Sequence, residues 1–295
     1  HIGGLQKLGA TISLEHGYIQ ASADRLRGAE IAFEKKTVTG TENLVMAATL
    51  AEGETVLRNC AVEPEVSDLC ELLVKMGARV EGIGEETIRV AGVKELGGAV
   101  HDIIPDRIEA GTFLVAGGLT RGDLVLSGVQ PDHLTTVIER LRYSGIAIER
   151  IRPDALHVVA GPEIRPQDIT TSPYPGFPTD MQAQFMALMT QAAGPSIITE
   201  TIFDRRLGHV NELLRPGANI EVAGDKAVVR GRTLLSGAET SATDLRASAC
   251  LVLAGLVASG ETVINEAEHL DRGYERIEDK LKALGARIER ISDKK

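Results

Sequence analysis

The sequence predicts an α/β fold of like units, an inside-out α/β barrel with apolar helices at the centre and short sheets outside. Three observations carry that expectation. Four nearly apolar stretches, each closing on glycine, recur at Asn43–Gly53, Thr112–Gly122, Met181–Gly194 and Ala247–Gly260. Their closing glycines lie 69, 72 and 66 residues apart, the period of a repeated supersecondary unit. The dinucleotide and P-loop patterns, GxGxxG and GxxxxGK(S/T), are both absent, so a doubly wound nucleotide fold is not expected.

Within each copy the elements follow in one order. The apolar stretch lacks a polar face and is expected to form a helix buried all round. A short β-branched run comes next, as expected of a strand. Then come the amphipathic stretches SDLCELLVKMGA, HLTTVIERLRYSGIA, HVNELLRPGANI and GYERIEDKLKALGA, with apolar residues at helical spacing, expected to cover one side and face water. Each copy closes on a strand pattern: TIRVAG, LHVVAG, KAVVRG and finally RIERI. The opening His1–Asp24 reads as the tail of an earlier copy whose first half the sequence does not contain. Two domains of βαβαββ units are therefore expected: residues 1–104, incomplete, and residues 105–295, with three repeats.

Composition bounds the function. The chain has 295 residues, 43% of them hydrophobic, and no Trp. A formal net charge of −10 argues against a nucleic-acid partner while leaving room for a local basic pocket. No apolar run is long enough to span a membrane, and a cytoplasmic setting is expected. Cys60, Cys70 and Cys250 lack CxxC or CxxH spacing and read as buried free thiols. His16, His133 and His209 lack metal-type spacing, so neither a metal nor another cofactor is expected.

The starts of the buried helices are chemically the richest places. Thr39–Glu42, Asp106–Glu109 and Thr179–Gln182 have capping-box spacing, and Asp180, Asp244 and Arg246 lie in or beside these first turns. Capping alone accounts for such residues at about 1 kcal/mol each. The same physics permits more. Helix N-termini converging on one face aim free N–H groups and positive dipole ends at it, which suits an anionic ligand and keeps a carboxylate there ionised.

Longer runs carry a resemblance. FPTDMQAQF (Phe177–Phe185), TDLRASACLVLAG (Thr243–Gly255), HLDRGYERIEDKLKALGARIER (His269–Arg290), PDRIEAGTFLVA and TVTGTENLVMAATLAEG together resemble the enolpyruvyl transferases, specifically the UDP-N-acetylglucosamine 1-carboxyvinyltransferase family. The resemblance covers the whole chain. It implies transfer of the enolpyruvyl group of phosphoenolpyruvate to the 3′-hydroxyl of UDP-N-acetylglucosamine with release of phosphate, the first committed step of peptidoglycan synthesis. By the same resemblance Asp180 is the base beside the sugar hydroxyl, Asp244 the carboxylate near the reacting adduct, and Arg272 the grip on phosphoenolpyruvate. Lys35, Thr37 and Val38 match a segment around the uridine diphosphate. Ile202, Phe203 and Arg206 match positions beside the nucleotide sugar. Arg206, standing next to Arg205, also reads as a partner for Asp204. The Lys35–Lys36 pair reads equally well as a solvated loop. Arg150, Arg152 and the final SDKK read as solvated edges.

One departure stands out. The family's reactive-cysteine loop, its general acid, precedes the point where HIGGLQKLGA begins to match, and none of the three cysteines matches its position. The chain alone is therefore expected to be inactive, with a separate polypeptide as a conceivable source of the rest. A non-catalytic nucleotide-sugar-binding protein and an inert module of the same fold remain the alternatives.

Overall fold

The computed structural model describes residues 1–291. The Ser292–Lys295 tail, expected as a solvated edge, lies outside them. Two compact units emerge, His1–Ile104 with Pro173–Pro175, and Pro105–Ser172 with the chain from Gly176 onward. No helix among the described residues is long and apolar enough to cross a membrane.

The first unit opens with α1 (Ile2–Lys7) and the antiparallel hairpin β1 (Thr11–Glu15) and β2 (Tyr18–Ser22). His16 and Gly17 both take positive φ, as a two-residue hairpin turn of the right twist demands. There follow β3 (Glu30–Ala32), α2 (Val38–Thr49), β4 (Glu54–Arg58), α3 (Pro64–Lys75), β5 (Arg79–Glu81) and β6 (Thr87–Ala91). The sheet order is β3-β4-β6-β5, parallel at β3–β4 and antiparallel elsewhere. Leu57 and Ile88, opposite each other and fully buried, fix its register against α2 and α3.

The second unit runs α4 (Arg107–Leu119), β7 (Asp123–Ser127), α5 (Thr135–Tyr143), β8 (Ile146–Arg152), β9 (Ala155–Ala160), β10 (Ile169–Thr170) and α6 (Gln182–Met189). It continues through β11 (Ser196–Thr199), α7 (His209–Leu214), β12 (Ile220–Ala223), β13 (Lys226–Val229), β14 (Glu239–Ser241), α8 (Leu245–Gly255), β15 (Val263–Asn265) and α9 (Ile277–Ala283). Three sheets form, ordered β7-β9-β8, β10-β11-β13-β12 and β14-β15, and none closes on itself. The order β10-β11-β13-β12, with its parallel first pair, repeats that of β3-β4-β6-β5. The repeat read from glycine spacing is thus also a repeat of strand pairing.

The apolar stretches behave as expected in this unit. All eight residues of α6 are buried, as are Ala247–Ala254 of α8 and most of α4. Each large side chain so placed contributes about 1.5–3 kcal/mol. Small residues let α4 approach the turn before α6 on one side and β8 on another. A Cβ on Gly111 would lie 2.7 Å from Met181 Sδ, and one on Gly118 would lie 2.2 Å from Ile146 Cδ1. In the first unit α2 departs from the expectation: Met46 and Leu50 are exposed on one of its faces. It packs on α1, α3 and its sheet, which leave that face uncovered among the described residues.

Three local expectations fail for physical reasons. The cap of α2 is Thr37, two residues before the predicted box, because its hydroxyl reaches Gly40 N. Thr179 caps nothing: a 3₁₀ turn, Thr179–Met181, leads into α6, and the threonine hydroxyl is engaged elsewhere. Asp106 does cap α4, accepting from Ile108 N and Glu109 N, while Glu109 turns outward to Lys280. The final RIERI forms no strand among the described residues. Arg290 is held there by Asp271 and Glu278, and Ile288 packs on a satellite apolar cluster.

Candidate functional site

Asp180 occupies the 3₁₀ turn at the head of α6. Since no side chain is needed as its cap, the carboxylate is free for other partners. Its Oδ1 accepts from Arg206 Nη2 at 2.7 Å and its Oδ2 from Arg246 Nη2 at 2.7 Å. Burial pushes the Asp180 carboxyl upward, but Arg246 and then Arg206 outweigh it and hold it below its ordinary value. Arg246 answers in kind. Burial would lower it, and Asp180 holds it above the ordinary arginine value.

Asp244 prepares this pairing. It is the N-cap of α8, and one of its oxygens accepts from Arg246 N at 2.8 Å and Ala247 N at 3.0 Å. That fixes the first turn from which the Arg246 side chain crosses to Asp180. Nothing in the sequence reading gave Arg246 this role, although TDLR places it in a helix's first turn, where its direction is constrained.

A second layer lies behind the ion pairs. The Tyr274 hydroxyl meets Thr112 Oγ1 at 2.9 Å, Gln184 Nε2 at 3.3 Å and Arg246 Nη1 at 3.4 Å. Thr112 gives its own proton to the Ile108 carbonyl, so the Tyr274 hydroxyl donates to Thr112 and accepts from the other two. Gln184 also donates to the Asp180 carbonyl at 2.8 Å. These bonds tie the N-terminal portions of α4, α6 and α8 together, the convergence expected from sequence. Burial pushes the Tyr274 hydroxyl up, more than Arg246 and its hydrogen bonds draw it down.

Two residues before Tyr274, Arg272 lies exposed in a cleft of about 470 Å³ lined also by Glu109, Asp271, Gly273, Glu275 and Arg276. Asp271 is taken up by Arg290 and Glu109 by Lys280, leaving the Arg272 guanidinium without an ion pair among the described residues. Ile202 and Phe203 are both partly exposed on the loop after β11. Arg206 lies over the Phe203 ring, 4.9 Å from its centroid. Its partner is thus Asp180 rather than the neighbouring Asp204.

The remaining predicted residues belong to the first unit. Lys35 is exposed on the turn before α2, and Lys36 is ion-paired to Glu86. The Thr37 hydroxyl is committed to the cap, and Val38 opens the helix. All three cysteines are buried. Among the described residues no group of His, Cys, Asp and Glu is suited to a metal ion.

Comparison with known proteins bears on this arrangement. The family model of EPSP synthase (3-phosphoshikimate 1-carboxyvinyltransferase) matches residues 1–281. The UDP-N-acetylglucosamine 1-carboxyvinyltransferase of Koribacter versatilis is 58% identical over 293 residues, 99% of this chain and 67% of its own length. The enzyme of the same name from Acidobacterium capsulatum is 56% identical with the same coverage. Among solved structures, the enolpyruvyl transferase NikO from Streptomyces tendae superposes with a TM-score of 0.86 at 26% identity, covering 97% of this chain and 70% of its own. EPSP synthase from Acinetobacter baumannii, at 22% identity and a TM-score of 0.74, shares the fold.

Proposed function

This chain belongs to the UDP-N-acetylglucosamine 1-carboxyvinyltransferase family of enolpyruvyl transferases, and from that premise we propose that its Asp180 cluster serves enolpyruvyl transfer from phosphoenolpyruvate to the 3′-hydroxyl of UDP-N-acetylglucosamine. Phosphate is the leaving product, and the step begins peptidoglycan synthesis. The observation that carries the reading is one ionised carboxylate held between two arginines where helix N-termini meet.

In this reading Asp180 receives the proton of the sugar hydroxyl as that oxygen bonds to C2 of phosphoenolpyruvate. While both arginines grip it, Asp180 is a weak base. Arg206 and Arg246 turning to the oxygens of an anionic substrate would raise its affinity for a proton at the moment one is offered. Arg272, free in its cleft, holds the phosphate end through adduct formation and elimination, as charge moves onto the leaving oxygens. Asp244 acts beside the adduct while fixing Arg246. Ile202, Phe203 and Arg206 are assigned to the nucleotide sugar, and Lys35, Thr37 and Val38 to its uridine diphosphate, as the resemblance implies. The thiols of Cys60 and Cys70 are pushed up to about 11 by burial, and that of Cys250 further still, so none is assigned the proton that C3 requires.

The same reading makes each unit a set of βαβαββ repeats in an inside-out α/β barrel, with domains at 1–104 and 105–295. The shared strand order supports it. The setting is the cytoplasm, where both substrates are soluble.

Since the chain spans 67–70% of the length of relatives it matches, the test joins it to the portion of the Koribacter enzyme that it does not match. Phosphate release dependent on both substrates is expected. Asp180→Asn should lower it by roughly a hundredfold or more with far-ultraviolet circular dichroism unchanged. Nucleotide-sugar binding without release would move the chain to a binding role, and full activity in Asp180→Asn would remove Asp180 from the mechanism.

A further inference from the structure

Glu200 follows β11 and is 4% exposed. Four hydrogen bonds converge on its carboxylate. Oε1 accepts from the Thr171 hydroxyl at 2.8 Å, Ile202 N at 2.8 Å and Phe203 N at 3.1 Å, and Oε2 accepts from the Thr179 hydroxyl at 2.7 Å. Every one is donated to it, the pattern of an ionised carboxylate. No ion pair reaches it among the described residues. A carboxylate so buried is costly unless its surroundings are organised around it, and here the surroundings are the residues assigned to the nucleotide sugar and the reacting hydroxyl.

Thr179 is the hinge of the arrangement. Its proton goes to Glu200, and its oxygen accepts from Arg206 Nη1 at 2.7 Å. The other terminal nitrogen of Arg206 holds Asp180, the residue after Thr179. One side of Glu200 thus fixes the amides beneath Ile202 and Phe203. The other fixes, through a single hydroxyl, the guanidinium that grips Asp180 and lies over Phe203.

We propose that Glu200 is a positioning residue that couples the Ile202–Arg206 loop to Asp180, setting through Thr179 where Arg206 stands and so how firmly Asp180 is held. Movement of the loop toward a nucleotide sugar is then transmitted to the carboxylate that meets the sugar's hydroxyl. That consequence rests on the reading of Asp180 given above, whereas the coupling itself does not, and it is measurable in this chain without substrate.

The test follows the Asp180 carboxyl carbon by NMR across an acid titration, together with the amide protons of Ile202 and Phe203. Thr179→Val removes the hydroxyl while keeping the side chain's shape. Arg206 is then free to turn to Glu200, and the Asp180 midpoint should rise by about one unit while both amide shifts stay in place. Thr179→Ser should return the midpoint to its original position. Glu200→Gln should move the amides and the midpoint together. An unchanged Asp180 midpoint in folded Thr179→Val overturns the proposal, even if Glu200→Gln does not fold. Loss of phosphate release from the joined enzyme would instead overturn the assigned reaction and leave the coupling standing.

Discussion

His209 is a buried titratable residue that the proposed chemistry leaves unused. Burial pushes its imidazole down to about 4, against the pull of Asp244, and its Nε2 is buried without a hydrogen-bond partner. The unfolded chain therefore takes up a proton below about 6.5 that the folded chain refuses until about 4. Stability is full above the unfolded value and falls as pH drops between the two, by up to about 3 kcal/mol. Denaturant titrations at pH 7 and pH 4 should show this loss, and His209→Leu should flatten it. An equal slope in the variant would place the proton uptake elsewhere. Asp180 adds in the same sense at lower pH. Its carboxyl is held below the ordinary value, so its contribution is present above that value and fades as acid protonates it. Neither effect was legible from sequence. His209 lay in an amphipathic stretch that gave no sign of its full burial. The partners of Asp180 are 26 and 66 residues away in the chain, at Arg206 and Arg246.

At the scale of elements, periodicity spoke clearly and caps spoke poorly. Apolar stretches without a polar face became α4, α6 and α8, since a helix with no polar side has nowhere to go but inward. Capping motifs were ambiguous because Thr37 and Thr39 stand two residues apart and the Thr37 hydroxyl reaches Gly40 N, whereas Thr179 and Asp180 cap nothing because tertiary partners take both side chains. Glu200 was invisible for a related reason: a glutamate after SIIT reads as a polar strand end, and only the fold brings Thr171 and Thr179 to it. Two substitutions test the element-level account. Asp244→Ala should cost about 1 kcal/mol by denaturant titration, the loss of a cap that satisfies two amides. Gly118→Ala should cost about 1–3 kcal/mol, because the added methyl meets the fully packed Ile146 side chain. A neutral Gly118→Ala would mean that α4 and β8 are less closely packed than described.

The whole molecule combines units of unequal packing. In the second, three helices bury one another. In the first, α2 leaves Met46 and Leu50 exposed, and the hairpin β1–β2 has almost every side chain in water. A two-stranded hairpin with little apolar cover is marginal. Amide exchange should therefore be fastest across Thr11–Ser22, intermediate in α2 and slowest in α6 and α8. Uniform protection across both units would contradict this ranking. The Tyr274 hydroxyl, so far a knot between helices, gives the molecule an optical property as well. With no Trp and only four Tyr, the near-ultraviolet signal is sparse, and one of its few sources sits beside Arg246 in the candidate site. Shielded from ionisation by burial, that ring should turn to tyrosinate only as alkali opens the second unit. Absorbance near the tyrosinate band, compared between the parent and Tyr274→Phe, makes the candidate site its own dye.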